Sequence, residues 1–220
     1  MPGSLEPLPV ELFMDYHCPY SHRAVAWLDD LGPGRVAVAY RLFALEQVNH
    51  DASASEWRLW EQPLDYAQYR GRQDRRSLAP FLATAIVEAD ESPEAARRFR
   101  RAVYEARFGE RADISDIGVL ERAAAAAGAD ADRVRGGLAN PGAVAAARRR
   151  IADDWAVARA EYAIFGVPTL RIDGGRPFYL RLGRILGPEE GPAFLHALLA
   201  FRAAAPDLLE LKLPEPVGAA

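Results

Sequence analysis

The chain is predicted to be an α/β protein: a four-stranded mixed sheet with helices on both faces, interrupted by a large all-helical insertion. Three observations carry this. The first forty-odd residues read strand, helix, strand, a βαβ unit. The middle of the chain reads only as helices. The last part returns to two strands and a closing helix. The boundaries drawn on this pattern are 10–45 and 146–205 for the two parts of the sheet domain, 46–145 for the insertion and 206–220 for a tail.

Val10 to Tyr16 is a short, mostly apolar run and reads as the first strand. The helix after it carries Ala24, Trp27, Leu28 and Leu31 at the spacing i, i+3, i+4, i+7. Gly32-Pro33-Gly34 stops it. Val36 to Leu42 is nearly continuous in apolar residues, as a buried parallel strand is. Next, Leu78, Phe81, Leu82, Ala85 and Ile86 mark one amphipathic helical face. Pro93 opens a helix through Phe99 and Val103. Asp113 or Ser115 is expected to cap another, through Leu120 and the Ala123–Ala127 run to Gly128. A short helix spans Asp132 to Leu138. Pro141 opens a long one with Val144, Ile151, Trp155, Ala158 and Tyr162 on its buried side. Thr169 to Ile172 and Phe178 to Leu182 are strands around an Asp173-Gly174-Gly175 turn. Pro188 opens the last helix, through Phe194, Leu195, Leu198, Leu199 and Phe201. The tail from Pro206 is proline-rich.

Half of the 220 residues are hydrophobic, enough for a packed core. The formal net charge of -4 gives no electrostatic footprint for nucleic acid. Arginine dominates the cations, with Lys212 the only lysine; together with the alanine richness this reads as composition bias. The runs Arg97-Arg98, Arg100-Arg101 and Arg148-Arg149-Arg150 read as solvated helix faces. No apolar segment is long enough to span a bilayer, so no membrane partner is expected. Met1 to Pro9 has neither the basic nor the apolar region of a secretory signal, so the expected compartment is cytoplasmic. A single cysteine excludes an intramolecular disulfide and fits a reducing compartment.

That cysteine, Cys18, follows the first strand and starts a helix, with Pro19 in the first turn. Unpaired N–H groups there stabilise an anion, so the thiol is expected below its free pKa of about 8.5. A lone cysteine is also commonly a buried core residue. His22, one helical turn on, would favour the thiolate if protonated or relay a proton if neutral, or is simply a half-exposed helix residue. His17 reads as supporting the cysteine from behind. His17, Cys18 and His22 lack a fourth ligand at a familiar spacing, and zinc would make the thiolate a poor redox nucleophile, so no metal is expected. Ser21 is placed to hydrogen-bond the sulfur or to satisfy first-turn N–H groups. Tyr16 and Tyr20 are candidates to line a pocket, with Tyr20 preferred. Phe43 to Asn49 leaves the second strand on the carboxyl side of the sheet, where ligands of open α/β sheets bind. Trp57, Trp60, Glu61 and Gln62 form a wall of that cleft or packing between sheet and insertion. His50 and His196 carry no local signal.

Asp15-x-x-Cys18-Pro19-Tyr20-Ser21 after the first strand, with Gly166-Val167-Pro168-Thr169 before the third, resembles the DsbA-like branch of the thioredoxin superfamily. Asp113-Ile114-Ser115-Asp116 through Leu120, the alanine run and Gly128-Ala129-Asp130 resemble that family's helical domain. The resemblance covers Val10 to Ala203 and implies a thioredoxin-like fold. It also implies a cis Pro168 facing the cysteine, and Pro19, Tyr20, Val167 and Pro168 as the substrate-binding edge. Where the family's oxidoreductases carry a second cysteine, this chain has Ser21. The motif is also similar to the Ser-Pro-Tyr-Ser of kappa-class glutathione transferases and 2-hydroxychromene-2-carboxylate isomerases, with cysteine in place of their serine.

The function implied is a monothiol thiol–disulfide oxidoreductase with Cys18, Ser21 and His22 as catalytic residues. No cofactor is tightly bound. A low-molecular-weight thiol such as glutathione or mycothiol acts as cosubstrate, because no internal thiol can release a mixed disulfide. Its partners are small thiols or disulfide-containing substrates, and a homodimer is compatible with the chain. The alternatives are a glutathione-dependent transferase or isomerase of the related kinds, and a non-catalytic binding protein on the same fold.

Overall fold

Four strands make one sheet in the computed structural model, which describes residues 6–50, 56–68 and 70–211. The strands are β1 (Leu8–Met14), β2 (Val36–Leu42), β3 (Thr169–Ile172) and β4 (Phe178–Tyr179), in the order β2-β1-β3-β4. β1 runs parallel to β2, with Leu12 opposite Tyr40, and antiparallel to β3, with Leu12 opposite Leu170. β3 and β4 close an antiparallel hairpin. The α/β reading with a helical insertion and a mixed sheet therefore holds.

Between β1 and β2 lies α1 (Pro19–Leu31), whose Ala24, Trp27, Leu28 and Leu31 are all buried, as their spacing requires. Gly32 ends it at φ 78°, a backbone region that glycine enters without steric cost. α2 (Leu45–Asn49) follows β2. The insertion then contributes α3 (Leu78–Asp90), α4 (Pro93–Phe108), α5 (Ile117–Ala126), α6 (Ala131–Ala139) and α7 (Pro141–Ala156), and α8 (Glu190–Ala204) closes the chain. α3 is buried from Leu78 through Val87, on all sides rather than along one stripe. It is the axis of the helical layer, packed on α4, α6 and α7. α7 packs on both α3 and β2, so the boundary drawn at 145/146 falls inside a continuous helix shared by the two layers.

Several element ends differ from the sequence reading. β1 stops at Met14 because Asp15 turns the chain: its carbonyl accepts the Cys18 N–H at 3.1 Å and its carboxylate the His17 N–H at 2.8 Å. α5 is capped by Asp116, whose carboxylate accepts the Gly118 N–H at 2.7 Å. Asp113 and Ser115 instead close the turn before it. α7 passes at Val157 into a π-helical turn ending at Glu161, followed by Ala163 at φ 52°. β4 is two residues long, and α8 begins at Glu190, after Pro188. The arginine runs are not simply solvated. Arg100 is buried and pairs with Glu88 at 2.5 Å, and Arg150 pairs with the buried Asp154 at 2.8 Å. Tail residues 212–220 lie outside the described part of the chain. No helix among the described residues is long and apolar enough to cross a membrane.

Candidate active site

Cys18 is the residue that caps α1, with extended backbone (φ -95°, ψ 114°) and Pro19 opening the helix. Its carbonyl accepts the His22 N–H at 3.1 Å. Its Sγ donates to the Val167 carbonyl at 3.4 Å, across a sequence separation of 149 residues. The Val167–Pro168 bond is cis. The turn before β3 thus lies against the sulfur, as the resemblance implies.

Cys18 is 5% exposed and belongs to a small apolar cluster with Phe13, Phe43, Ala158, Ile164 and Val167. Burial pushes the Cys18 thiol up from its ordinary value. Hydrogen bonds from the Ser21 amide and hydroxyl and from the Tyr20 amide pull it down, and the nearby Asp15 carboxylate raises it further. This corrects the expectation of a lowered thiol pKa. The N–H groups of the helix start are present as expected, but removing the sulfur from water outweighs them.

Asp15 is fully buried beneath the cysteine. One carboxylate oxygen accepts the His17 N–H, the other the Leu45 N–H at 2.8 Å. It thereby ties the cysteine loop to the chain leaving β2. Ser21 is also fully buried, its Oγ facing the Asp15 N–H at 3.4 Å. It therefore serves both the backbone and the sulfur.

His22 does not stand beside the thiolate as a cation. Its ring packs against both Tyr104 and Phe108, with centroids at 5.1 and 5.3 Å. Burial, then Arg101, pushes its pKa down, favouring the neutral form. His17 points toward the insertion, its Nε2 at 3.2 Å from the Arg76 carbonyl, and burial lowers its pKa too. Tyr16 is a core residue, fully buried and bonded to Thr84 Oγ1 at 2.6 Å, so it lines no pocket. Tyr20 lies at the surface beside the helix start. Arg181 donates to its hydroxyl, and the guanidinium groups of Arg181 and Arg23 lie 4.0 and 5.2 Å from its ring centre.

Trp57 and Trp60 pack rather than line a cleft. Trp57 stacks on His50 at 4.3 Å, and Trp60 meets Trp155 at 6.2 Å. Gln62 bonds the Arg58 carbonyl, and Glu61 is exposed. No group of three or more His, Cys, Asp or Glu side chains converges among the described residues.

Sequence reasoning missed three features of this site. Glu46 in α2 is 5% exposed and accepts the Tyr66 hydroxyl and the Ser77 N–H. Its pKa is pushed up to about 7, first by burial, despite the Tyr66 hydrogen bond. Tyr179 and the exposed Phe165 pair at 5.5 Å beside the Val167 turn. Arg181 crosses to Tyr20. None has a local sequence signal, because each is brought to the site by pairing between distant segments.

Comparison with known proteins agrees with this geometry. The DSBA-like thioredoxin domain model matches residues 9–198, and the chain belongs to that family. Among solved structures it is similar to the MdbA protein, a thiol-disulfide oxidoreductase from Corynebacterium matruchotii. The identity is 14%, the coverage 86% of this chain and 83% of that one, and the TM-score 0.58. It is similar also to the cytosolic disulfide reductase DsbM from Pseudomonas aeruginosa, at 21% identity, 88% and 100% coverage and TM-score 0.57. The same enzyme solved with GSH gives 21%, 88% and 100%, and 0.56. At these identities the likeness concerns the fold. No curated protein matches the chain significantly.

Proposed function

We propose that the protein is a monothiol thiol–disulfide oxidoreductase. The Cys18 thiolate attacks a substrate disulfide, an S–S bond forms to Cys18, and the other half leaves as a thiolate. A second, external small thiol then attacks the mixed disulfide and restores Cys18. The observation that carries this reading is Ser21. It occupies the place of a resolving cysteine, is buried at the start of α1, and the chain has no other thiol. Ser21 holds the Cys18 sulfur by hydrogen bond, while Pro19, Tyr20, Val167 and Pro168 form the edge on which substrate lies. His22 contributes as a neutral ring that fixes the helix start against α4. The lone cysteine and the likeness to a cytosolic disulfide reductase support a cytosolic setting.

The test is intact mass after challenge with a small disulfide. Wild type should gain a persistent adduct on Cys18 that only added thiol removes. Ser21→Cys should shed the adduct unaided and close an internal disulfide. Clearance by wild type without added thiol would refute the mechanism.

The burial of Cys18 in an apolar cluster, which also raises its pKa, favours a second reading. A thiol that stays protonated at neutral pH suits a site that activates a bound thiol cofactor, as in the glutathione-dependent transferases and isomerases. Under that reading Cys18→Ser keeps turnover of a chromene-carboxylate substrate with glutathione. Under the first it abolishes the adduct and all activity.

A further inference from the structure

Arg107, near the end of α4, has a side chain only 12% exposed, yet its guanidinium makes no hydrogen bond among the described residues. Its one charged partner among the described residues is Asp74, at 3.7 Å. That carboxylate is shared with Arg72, at 3.9 Å. Arg75, next in the chain, has no ion pair among the described residues, and its Nε is buried without a partner. Burial, then Arg72 and Arg107, pushes the Arg75 pKa down. Two guanidinium groups, that of the half-exposed Arg72 and that of the mostly buried Arg107, thus share one half-exposed carboxylate, and a third, that of Arg75, lies close enough to feel all three charges without pairing. Such a gathering of like charge, partly out of water, is unfavourable unless an anion lies among them.

The cluster borders the cysteine loop. Arg107 and Arg75 both act on the His17 imidazole, whose Nε2 faces the Arg76 carbonyl. His17 and Cys18 are adjacent residues, with Cα atoms about 3.8 Å apart. The carboxylate beneath the loop, Asp15, has both oxygens occupied by backbone N–H groups, so it does not neutralise these arginines by direct pairing. Guanidinium forks suit carboxylates in a bidentate geometry.

We propose that Arg72, Arg75 and Arg107 form a carboxylate-binding site at the rim of the Cys18 cleft, which selects small thiols and disulfides bearing carboxylates. Glutathione is of that class; a carboxylate-free sugar thiol of the mycothiol kind is not. The proposal rests on the exchange reaction above. In that reaction the carboxylate is held while the Cys18–S bond forms and the substrate S–S bond breaks. Cys18 becomes half of a mixed disulfide, and the departing half is reduced to a thiolate that takes the proton from solvent.

The test compares adduct formation from glutathione disulfide and from neutral hydroxyethyl disulfide, in wild type, Arg75→Gln and Arg107→Gln. The ratio of the two rates should fall about tenfold in each variant, the worth of one charge-assisted pair. The fall should shrink at high salt. Should Arg107→Gln fail to fold, Arg75→Gln carries the test alone. An unchanged ratio overturns the site. Calorimetry with S-methylglutathione, whose sulfur cannot exchange, separates the two readings. If wild type forms no adduct but binds this probe, and Arg75→Gln weakens binding, exchange fails and the site stands. Equal binding in both, or none in wild type, overturns the site whatever the thiol does.

Discussion

At the scale of the residue, the reactivity of Cys18 is set by a contest between solvation and hydrogen bonding. The helix start supplies the Tyr20 and Ser21 donors that favour a thiolate, while burial among Phe13, Phe43 and Val167 opposes it. The buried Asp15 carboxylate adds a like charge near the thiolate and also raises the thiol pKa. Removing that charge should therefore lower it. Asp15→Asn is expected to move the pH midpoint of Cys18 alkylation down. An amide has one acceptor oxygen for the two N–H groups Asp15 now holds, so the variant should also lose about 1–2 kcal/mol of stability by denaturant titration. A midpoint that stays put or rises would remove Asp15 from the account. Cys18, Pro19 and Ser21 were visible in the sequence because their chemistry is local: a turn, a helix start, a missing second cysteine. The direction of the thiol shift was not, because it depends on Val167 and Ile164, some 150 residues away in the chain.

At the scale of the element, α2 acts as a short hub between the sheet and the segment that leads into α3. Gln47 bonds the Trp57 carbonyl and the Leu59 N–H, and Glu46 takes the Tyr66 hydroxyl and the Ser77 N–H. Burial raises the Glu46 carboxyl to about 7, above the 4.5 of a free one, so the folded protein binds this proton more tightly than the unfolded chain. Its contribution is complete below about pH 4.5 and is lost as pH rises through 7, by an amount on the order of 3–4 kcal/mol at most. His17 and His22, whose pKa values are lowered, act in the opposite sense, adding stability as pH rises through their unfolded value near 6.5. The wild-type profile mixes these, but Glu46→Gln removes one. Its stability relative to wild type should improve steadily from pH 5 to pH 8 in urea titrations. A constant difference would mean that Glu46 does not titrate there. A second element-scale expectation concerns Asn140, which ends α6 and caps α7 by accepting the Gly142 and Ala143 N–H groups at 2.8 and 3.2 Å. Asn140→Ala should cost about 1 kcal/mol, measured the same way, and Asn140→Gly only a few tenths. Helices and parallel strands were legible from period and punctuation. The hub was not, because α2 is five residues long and carries no period.

At the scale of the whole molecule, the order β-α-β, helical block, β-β-α was legible because each segment buries a face that its own pattern declares. What joins the two layers was not, since charged side chains on helices ordinarily read as solvated. Asp154, fully buried near the end of α7, accepts from Arg41 at 3.0 Å and from the Leu42 N–H at 3.0 Å, both in β2. It also accepts from Arg150 at 2.8 Å, one turn back on its own helix. Arg150 reaches Glu88 in α3, which also holds Arg100 in α4, whose guanidinium lies 3.7 Å from the centre of the Tyr40 ring in β2. Sheet and insertion thus share one charged network as well as one continuous apolar core. Two consequences follow for unfolding. Wild type should unfold in a single step, with far-UV circular dichroism and tryptophan fluorescence tracing the same urea curve. Asp154→Ala should lose about 2–3 kcal/mol, toward the low end for breaking a buried pair because Arg41 and Arg150 are each about one-third exposed and can turn to water. Asp154→Asn keeps one acceptor for the Leu42 N–H and should lose less. Separated curves in wild type would make the layers independent folding units. A loss under about 0.5 kcal/mol in Asp154→Ala would show that the apolar core alone joins them.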